Sequence, residues 1–370
     1  MDYFIDWLSV HQNHLDGGLP VVSKTINTVS DPETGEHIKT YINNKQIKGS
    51  YSSYIDVRCD GFKVSIDGNP SRWNRPDNLF GFSTFDECIR VFNLILSELN
   101  LPPFTKNTSP FYIQGLDGGK VELVSNGALI TRVDWTKNLS VGQGNETSFL
   151  RALSTQSVGK GKKAFLFPNG QTVDWAKGST FWYLKAYNKG YDVDRLLKKN
   201  LKSYSDEHKT YLKKVTDYCK SEGIVRVEKE FKSAFLKRNN LNLYGQINEN
   251  DFIKHLNDID KILERIDMST SNYINISDQL LAKEAVKTTR SANTTQGIAF
   301  QWLHGEPFTG GKSQYHVHKK RLLSIGIDIS IPFDATKGIP QIKNERVISV
   351  NSAVPPSWYK MPQVAMLRLA

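Results

Sequence analysis

Between Thr180 and Asp192 the chain alternates two phenols with two ammoniums: Tyr183, Lys185, Tyr187 and Lys189. Side chains on a strand point alternately to its two faces. The stretch Thr180-Phe-Trp-Tyr-Leu-Lys-Ala-Tyr-Asn-Lys-Gly-Tyr-Asp192 therefore reads as a strand with Trp182, Leu184 and Ala186 on an apolar side and those four residues on the other. Phenols flanked by fixed positive charge suit a phosphodiester, because cations hold its phosphates and lower the cost of a phenolate that attacks one. A surface strand with half-exposed tyrosines and lysines that do nothing fits the same pattern.

Two further strands carry polar faces. In Ala128-Leu-Ile-Thr-Arg-Val-Asp-Trp135, Ile130, Arg132 and Asp134 share one side; in Ile224-Val-Arg-Val-Glu-Lys-Glu-Phe-Lys232, so do Arg226, Glu228, Glu230 and Lys232. If these strands are neighbours, Asp134 and Glu228 repel one another unless a cation lies between them. Oxygen-only ligands suit Mg²⁺ or Mn²⁺. The competing account pairs Arg132 with Asp134 and Arg226 with Glu228 as ordinary salt bridges, and spacing alone leaves both open.

The elements that must position these residues follow from periodicity. Residues 3–10 read as a first strand, 12–48 as a polar segment with a turn at Asp31-Pro-Glu-Thr-Gly35, and 51–59 with 62–66 as a hairpin around Asp60-Gly61. A loop dense in turn formers, Asp67 to Gly81, holds Arg72, Trp73 and Arg75. Arginines beside an aromatic there would clamp a nucleic-acid backbone or stack on a base, unless Trp73 and Phe80 merely pin the loop. Helical spacing of apolar residues marks 84–99, ended by Asn100-Leu-Pro-Pro, and a shorter helix over 146–154. A basic loop, Gly159-Lys-Gly-Lys-Lys163, precedes the tyrosine strand, and 193–221 reads as a basic helical region.

The formal charge is +10 with a pI of about 9.2, which points to an anionic partner. From Lys185 to Arg238 there are fifteen Lys or Arg against eight Asp or Glu, so most of the excess lies beside the tyrosine strand. Cys59, Cys88 and Cys219 are odd in number and not in metal spacing, which argues against a disulfide framework or a zinc site. With acids near the start where a signal peptide has bases, and no long apolar run, a soluble protein of a reducing cytoplasm is expected.

The order of these motifs resembles the gene II/X-type replication initiators of filamentous phages, and within them the RstA-type initiators. Arg132-Val-Asp134 matches an Arg-hydrophobic-Asp strand of that family, Thr172-Val-Asp-Trp175 its Thr-Val-x-Trp segment, and Tyr187-Asn-Lys189 with Asp192 its Tyr-x-Lys-x-x-acid motif. Val225-Arg-Val-Glu228, continued by Lys232 and Leu236-Lys237, matches a Val-Arg-x-Glu strand. Asn69-Pro-Ser-Arg72 and Asn78-Leu-Phe-Gly81 match the family's pre-helix loop, and Pro356-Ser-Trp-Tyr-Lys-Met-Pro362 resembles its C-terminal end. Where relatives often carry Gly-His before that loop's Asn-x-Phe-Gly, this chain has Pro76-Asp77.

The resemblance implies metal-dependent rolling-circle initiation: one strand is nicked at the origin, the protein stays attached to the 5′ phosphate through tyrosine, and the displaced strand is later rejoined. It puts the nucleophile at Tyr187, with Tyr183 and Tyr191 as alternates and Lys189 beside it. Asp134 and Glu228 become the ligands of Mg²⁺ or Mn²⁺, with Glu230 and Asp192 as further candidates. Arg132, Lys185, Arg226, Lys232 and Lys237 would meet DNA, as would Arg72 and Arg75. Host helicase and polymerase would be partners.

Toward the C-terminus, His316-Val-His318 mimics a metal motif, but on a helix over 313–325 residues two apart diverge by about 200°. Gly305-Glu-Pro-Phe-Thr-Gly-Gly-Lys-Ser313 mimics a phosphate loop with its first glycine misplaced and no strand before it. Helices at 294–304 and 313–325 read instead as a helix-turn-helix presenting Gln314, His316, Lys319 and Lys320 to a groove. Residues 248–286 hold two packing helices.

The expected architecture is α+β. A catalytic domain over 1–240, built on a central antiparallel sheet flanked by helices, precedes a mainly helical DNA-binding domain over 241–370. The rivals are a non-catalytic DNA-binding regulator and a mobilisation relaxase.

Overall fold

A computed structural model describes residues 2–113, 122–200, 202–269, 276–333 and 348–364. The chain opens with β1 (Phe4–Asn13), β2 (Ile26–Ser30), β3 (His37–Ile42), β4 (Lys45–Lys48), β5 (Tyr54–Cys59) and β6 (Lys63–Gly68). The β5–β6 turn is built by Asp60, whose Oδ1 accepts from the amides of Phe62 and Lys63, with Gly61 at φ 96°. Helix α1 (Phe85–Glu98) starts where the Thr84 side chain accepts from the Glu87 amide. Strands β7 (Pro110–Ile113) and β8 (Glu122–Ser125) pair only with each other; then come β9 (Leu129–Ser140), α2 (Glu146–Ser154), β10 (Ala164–Leu166), β11 (Thr172–Trp175) and β12 (Trp182–Asn188).

Ten strands form one antiparallel sheet in the order β10-β11-β12-β13-β9-β1-β6-β5-β4, where β13 is Ile224–Lys232 and β14 (Asn351–Ser352) adds on β9. The α+β class with a central antiparallel sheet is therefore what the protein has. Its apolar face carries Ile5, Val133, Trp135 and Phe231 against Cys88, Ile89, Phe92 and Ile95 of α1, and farther along Leu184, Ala186, Val225 and Val227 against α2. Those residues are the apolar halves of the alternating strands, so their burial leaves the other halves on the opposite face.

Several expectations need correction. The tyrosine strand stops at Asn188, whose side chain accepts from the Tyr191 amide and starts α3 (Lys189–Lys199). Lys189 therefore lies on a helix, not on the strand's polar face. The basic region 193–221 is two helices, since Ser205 caps a second, α4 (Asp206–Ser221). Segment 12–48 holds three strands; β2 and β3 form an exposed hairpin with no buried side to produce alternation.

After β13 come α5 (Ser233–Arg238), α6 (Ile253–Leu256), α7 (Asp258–Ser269), α8 (Ile276–Ala282), α9 (Thr289–Leu303) and α10 (Lys312–Leu323). Ile259 and Ile262 of α7 enter the core under β11–β13, while α8, α9 and α10 enclose a core of their own with Ile325, Ile327 and Ile329. That unit is tied to the sheet domain where the Ser157 amide donates to Asp328 and Gln156 Nε2 to the Gly326 carbonyl. The connection over 304–311 is longer than the three or four residues of a helix-turn-helix. Gln314, His316 and Lys320 are exposed on α10 and Lys319 half-buried. His318 turns inward, its Nδ1 3.0 Å from Thr295 Oγ1, so His316 and His318 do not share a site.

One pH effect follows from the sheet. Burial, with Lys63, Lys237 and Arg58 nearby, pushes the imidazole of His11 down to about 3. A depressed histidine is neutral when folded and charged when unfolded, so the unfolded chain binds the extra proton and stability falls as pH drops from about 6.5 toward 3. We expect His11→Gln to flatten that acid-side decline by up to about 1.4 kcal/mol per pH unit, measured by urea unfolding between pH 6 and pH 4.

Candidate active site on the open face of the sheet

Register places the polar halves in rows across the sheet. Tyr187 lies opposite Arg226, Lys185 opposite Glu228, and Tyr183 opposite Glu230, which in turn faces Asp134 of β9 and, beyond it, Trp7 of β1. Directly opposed residues on antiparallel strands share a face. The three segments expected to converge therefore do so on adjacent strands.

At the centre is Glu228, buried beneath the others. The Tyr187 hydroxyl donates to its Oε1 at 2.5 Å, and Lys185 Nζ approaches Oε2 at 2.5 Å. Burial works to raise the Glu228 carboxyl, but Lys185 and Arg226 outweigh it and hold the group below the usual carboxylate range. Tyr187 moves the opposite way: burial of its hydroxyl on that carboxylate, together with the negative charge of Glu228, lifts it well above the ordinary phenol value. The nearby lysines thus do not produce a standing phenolate. What the arrangement provides is a protonated phenol already hydrogen-bonded to an ionised carboxylate.

Tyr183 is held separately, donating to Asp174 Oδ2 at 2.8 Å, and burial and Asp174 likewise raise it. Tyr191 sits on α3, 41% exposed. Lys189 is buried behind the Tyr187 ring, 5.8 Å from its centroid, with Nζ shared between Asn78 Oδ1 and Asp192 Oδ2 at 3.2 Å each. Asp192 also takes Arg195 at 3.4 Å.

Asp134 receives both arms of Arg132, at 2.8 and 2.7 Å, and Arg132 also reaches Glu230 at 3.4 Å. Burial nevertheless pushes Asp134 up to about 7, with Glu230 and Glu228 adding to the rise and Arg132 opposing it. The same contact raises Arg132, so the guanidinium favours the ionised pair while the crowd of buried acids disfavours it. Of the two expected salt bridges, then, Arg132–Asp134 forms.

Arg226 does not pair with Glu228, and as a DNA contact it needs correction. It has no exposed surface, and its guanidinium donates to the Asn78 and Leu79 carbonyls, both at 2.6 Å, and to Asn138 Oδ1 at 3.0 Å. Arg226 is a strut that fastens loop 70–81 over the end of the sheet. Arg72 and Arg75 are fastened too, Arg72 to the Tyr51 carbonyl and Arg75 to the Tyr359 hydroxyl at 2.9 Å. Lys232 Nζ donates to the Ser179 carbonyl, and Lys237 is exposed.

Sequence reasoning missed Asp6. Between Ile5, opposite Trp135, and Trp7, opposite Asp134, β1 has one extra residue, and the bulge turns Asp6 away from the core to meet Asn69 and Asn78, both 2.9 Å from its Oδ1. Burial and Glu228 raise this acid. Its signal was a carboxylate inside an apolar strand, Phe4-Ile-Asp-Trp-Leu8.

Among the described residues no three His, Cys, Asp or Glu side chains are arranged to hold a metal ion. The donor chemistry still fits a hard divalent cation. Asp6, Asp134, Glu228 and Glu230 offer oxygen only, and the raised Asp6 and Asp134 are acids whose charge a cation would relieve.

A family model described as the N-terminal part of the phage gene II replication-associated protein matches residues 4–250, and its C-terminal companion matches residues 280–365. The chain belongs to the gene II family of replication-associated proteins. The replication-associated protein of this family from Escherichia phage If1 is 38% identical over 315 residues, covering 83% of this chain and 98% of that relative. A solved rolling circle replication initiator protein from Geobacillus stearothermophilus is similar over 65% of this chain and 78% of its own, at 12% identity and a TM-score of 0.27. Among the described residues of this gene II family chain, no helix is long and apolar enough to cross a membrane.

Proposed function

We propose that this chain is a rolling-circle replication initiator of a filamentous phage or related plasmid, which nicks and rejoins one DNA strand at the origin through a phosphotyrosine at Tyr187. The observation that carries the proposal is the Tyr187 hydroxyl resting on the ionised Glu228. In the forward step the Tyr187 oxygen bonds to phosphorus while its proton passes to Glu228, and the bond from phosphorus to the 3′ oxygen breaks; that oxygen takes up a proton as a 3′ hydroxyl. Attack by a 3′ hydroxyl on the phosphotyrosine reverses these changes. The tyrosyl ester conserves the energy of the broken bond, so resealing needs no ATP.

Lys185, on the second oxygen of Glu228, is placed to offset charge on the phosphorane, and Arg132 can turn to it from Asp134. Mg²⁺ or Mn²⁺ would be held by Asp134 and Glu228, with Glu230 and Asp192 as alternates, and would supply Lewis acidity at the scissile phosphate. The helical part over 241–370 would help read origin DNA, with Gln314, His316 and Lys320 exposed on α10 and Lys319 half-buried beside them. Host helicase and polymerase would act on the opened strand in the bacterial cytoplasm.

A second reading, a DNA-binding regulator without chemistry, is favoured by one feature, the closed pairing of Arg132 with Asp134. Incubation with origin DNA and Mg²⁺ or Mn²⁺ separates the two. The initiator yields an SDS-resistant protein–DNA adduct and a free 3′ end; binding without either outcome leaves the regulator.

A further inference from the structure

Against Asn74, Arg75 and Pro76 of loop 70–81 lies a cavity of about 350 Å³. Its lining includes the rings of Tyr51, Tyr211 and Trp358 beside His208, and three cations, Arg75, Lys214 and Lys360, against one acid, Glu207. The volume is that of a small-ligand pocket. Trp358 is 37% exposed and stands edge-on between Tyr211 and Tyr218, with ring centroids at 6.1 and 6.4 Å and interplanar angles of 88° and 86°. An indole braced in this way keeps a fixed orientation.

Tyr51 is presented at a conformational cost. It and Ser52 occupy left-handed backbone at φ 56° and 60°, which non-glycine residues seldom adopt and which persists only where surrounding structure holds it. Here the surroundings are known: Arg72 donates to the Tyr51 carbonyl and Asn74 accepts from the Ser50 amide. The ring is left 43% exposed, edge-on to His208 at 5.0 Å. In the cavity wall, the buried Nε of Arg75 finds no hydrogen-bond partner among the described residues.

We propose that this cavity takes one unstacked nucleobase of single-stranded DNA, with its ring against Trp358 and Tyr51 and its flanking phosphates on Lys214 and Lys360. Aromatic platforms beside cations are the general means of holding single strands, because every base has a π face and every nucleotide a charge. The proposal rests on the DNA-nicking reading for its position. Arg75 and Pro76 line the cavity, while Asn78, two residues on, holds Lys189 behind Tyr187. Arg75 and Asn78 are three residues apart, so their Cα atoms lie within about 11 Å. A strand with its scissile phosphate at Tyr187 would then have a nearby base within reach of the cavity.

The test uses the full chain and two fluorescent probes of equal length, an oligothymidylate and an abasic strand with the same phosphates but no bases, without divalent metal. Wild type should prefer the base-bearing strand. Trp358→Ala and Tyr51→Asn, the latter chosen because Asn tolerates left-handed backbone, should each weaken oligothymidylate binding about 5- to 150-fold and leave abasic binding unchanged. The idea is overturned if wild type binds both probes alike, if both variants bind oligothymidylate as wild type does, or if they lose both probes equally. Adduct formation with origin DNA is scored separately on wild type. Base-selective binding without an adduct removes the nicking reading and leaves the pocket, whereas an adduct without base-selective binding does the reverse.

Discussion

Tyr187→Phe should abolish the SDS-resistant adduct on origin DNA, and Glu228→Gln should slow its formation about 10²- to 10⁴-fold. Both expectations come from one hydrogen bond. The hydroxyl is raised well above the ordinary phenol value by burial and by Glu228, so in the proposed reaction ionisation in advance of attack is unfavourable and the proton would leave as the oxygen commits to phosphorus. Glu228 is the group in contact with it, and Lys185 and Arg226 keep that carboxylate ionised against its burial. Glutamine preserves the shape but not the basicity. Tyr183→Phe removes a phenol bound to a different acid, Asp174, and should cost less than about tenfold. Peptide mapping of the adduct decides among the tyrosines: DNA attached to Tyr183 or Tyr191 would sink the assignment.

The second large effect is on stability. Arg226→Met should destabilise the fold by about 3–5 kcal/mol in chemical denaturation, because removing a buried cation strands the groups it served. Those are the carbonyls of Asn78 and Leu79 and the side chain of Asn138, with Asp6 3.8 Å away. Lys237→Ala, at an exposed position, should stay within about 0.5 kcal/mol of wild type. The contrast matters because the two residues look alike in the sequence. A variant of Arg226 that kept full stability would contradict its role as a strut.

Much of this is legible in the sequence alone. Alternation in 180–188 and 224–232 correctly separates the apolar halves, such as Leu184 and Phe231, from the polar halves, because a period of two survives whatever the sheet order. In 128–135 it fails at Ile130, assigned to the polar side with Arg132 and Asp134, because one extra residue in β9 opposite Ser9 and Val10 returns Ile130 to the core beside Val133. Register is not legible. Asp134 proves to face Glu230 rather than Glu228, and the offset of β12 on β13 sets Lys185 opposite Glu228 with Tyr187 one pair along, within reach of the same carboxylate. Charge type is equally blind to burial: Arg226, Arg72, Arg75 and Lys237 share a sign, but three of them are spent on backbone carbonyls or a phenol. Asp6 goes unread because one extra residue in β1 reverses the face that strict alternation assigns to it. The hairpin of β2 and β3, exposed on both sides, carries no pattern to read.

Tyr359 closes the loop from the opposite end of the chain. Its hydroxyl donates to Asp77 Oδ1 at 2.8 Å and accepts from the Phe80 amide at 3.0 Å, while Tyr211 holds the other oxygen of Asp77. A recombination event falling anywhere between loop 70–81 and Tyr359 would marry an acid from one parent to a phenol from another. Hybrids of that kind should keep this loop in place only when both parents supply the same partners at these places, so the two ends of the gene should travel together even where their sequences permit exchange.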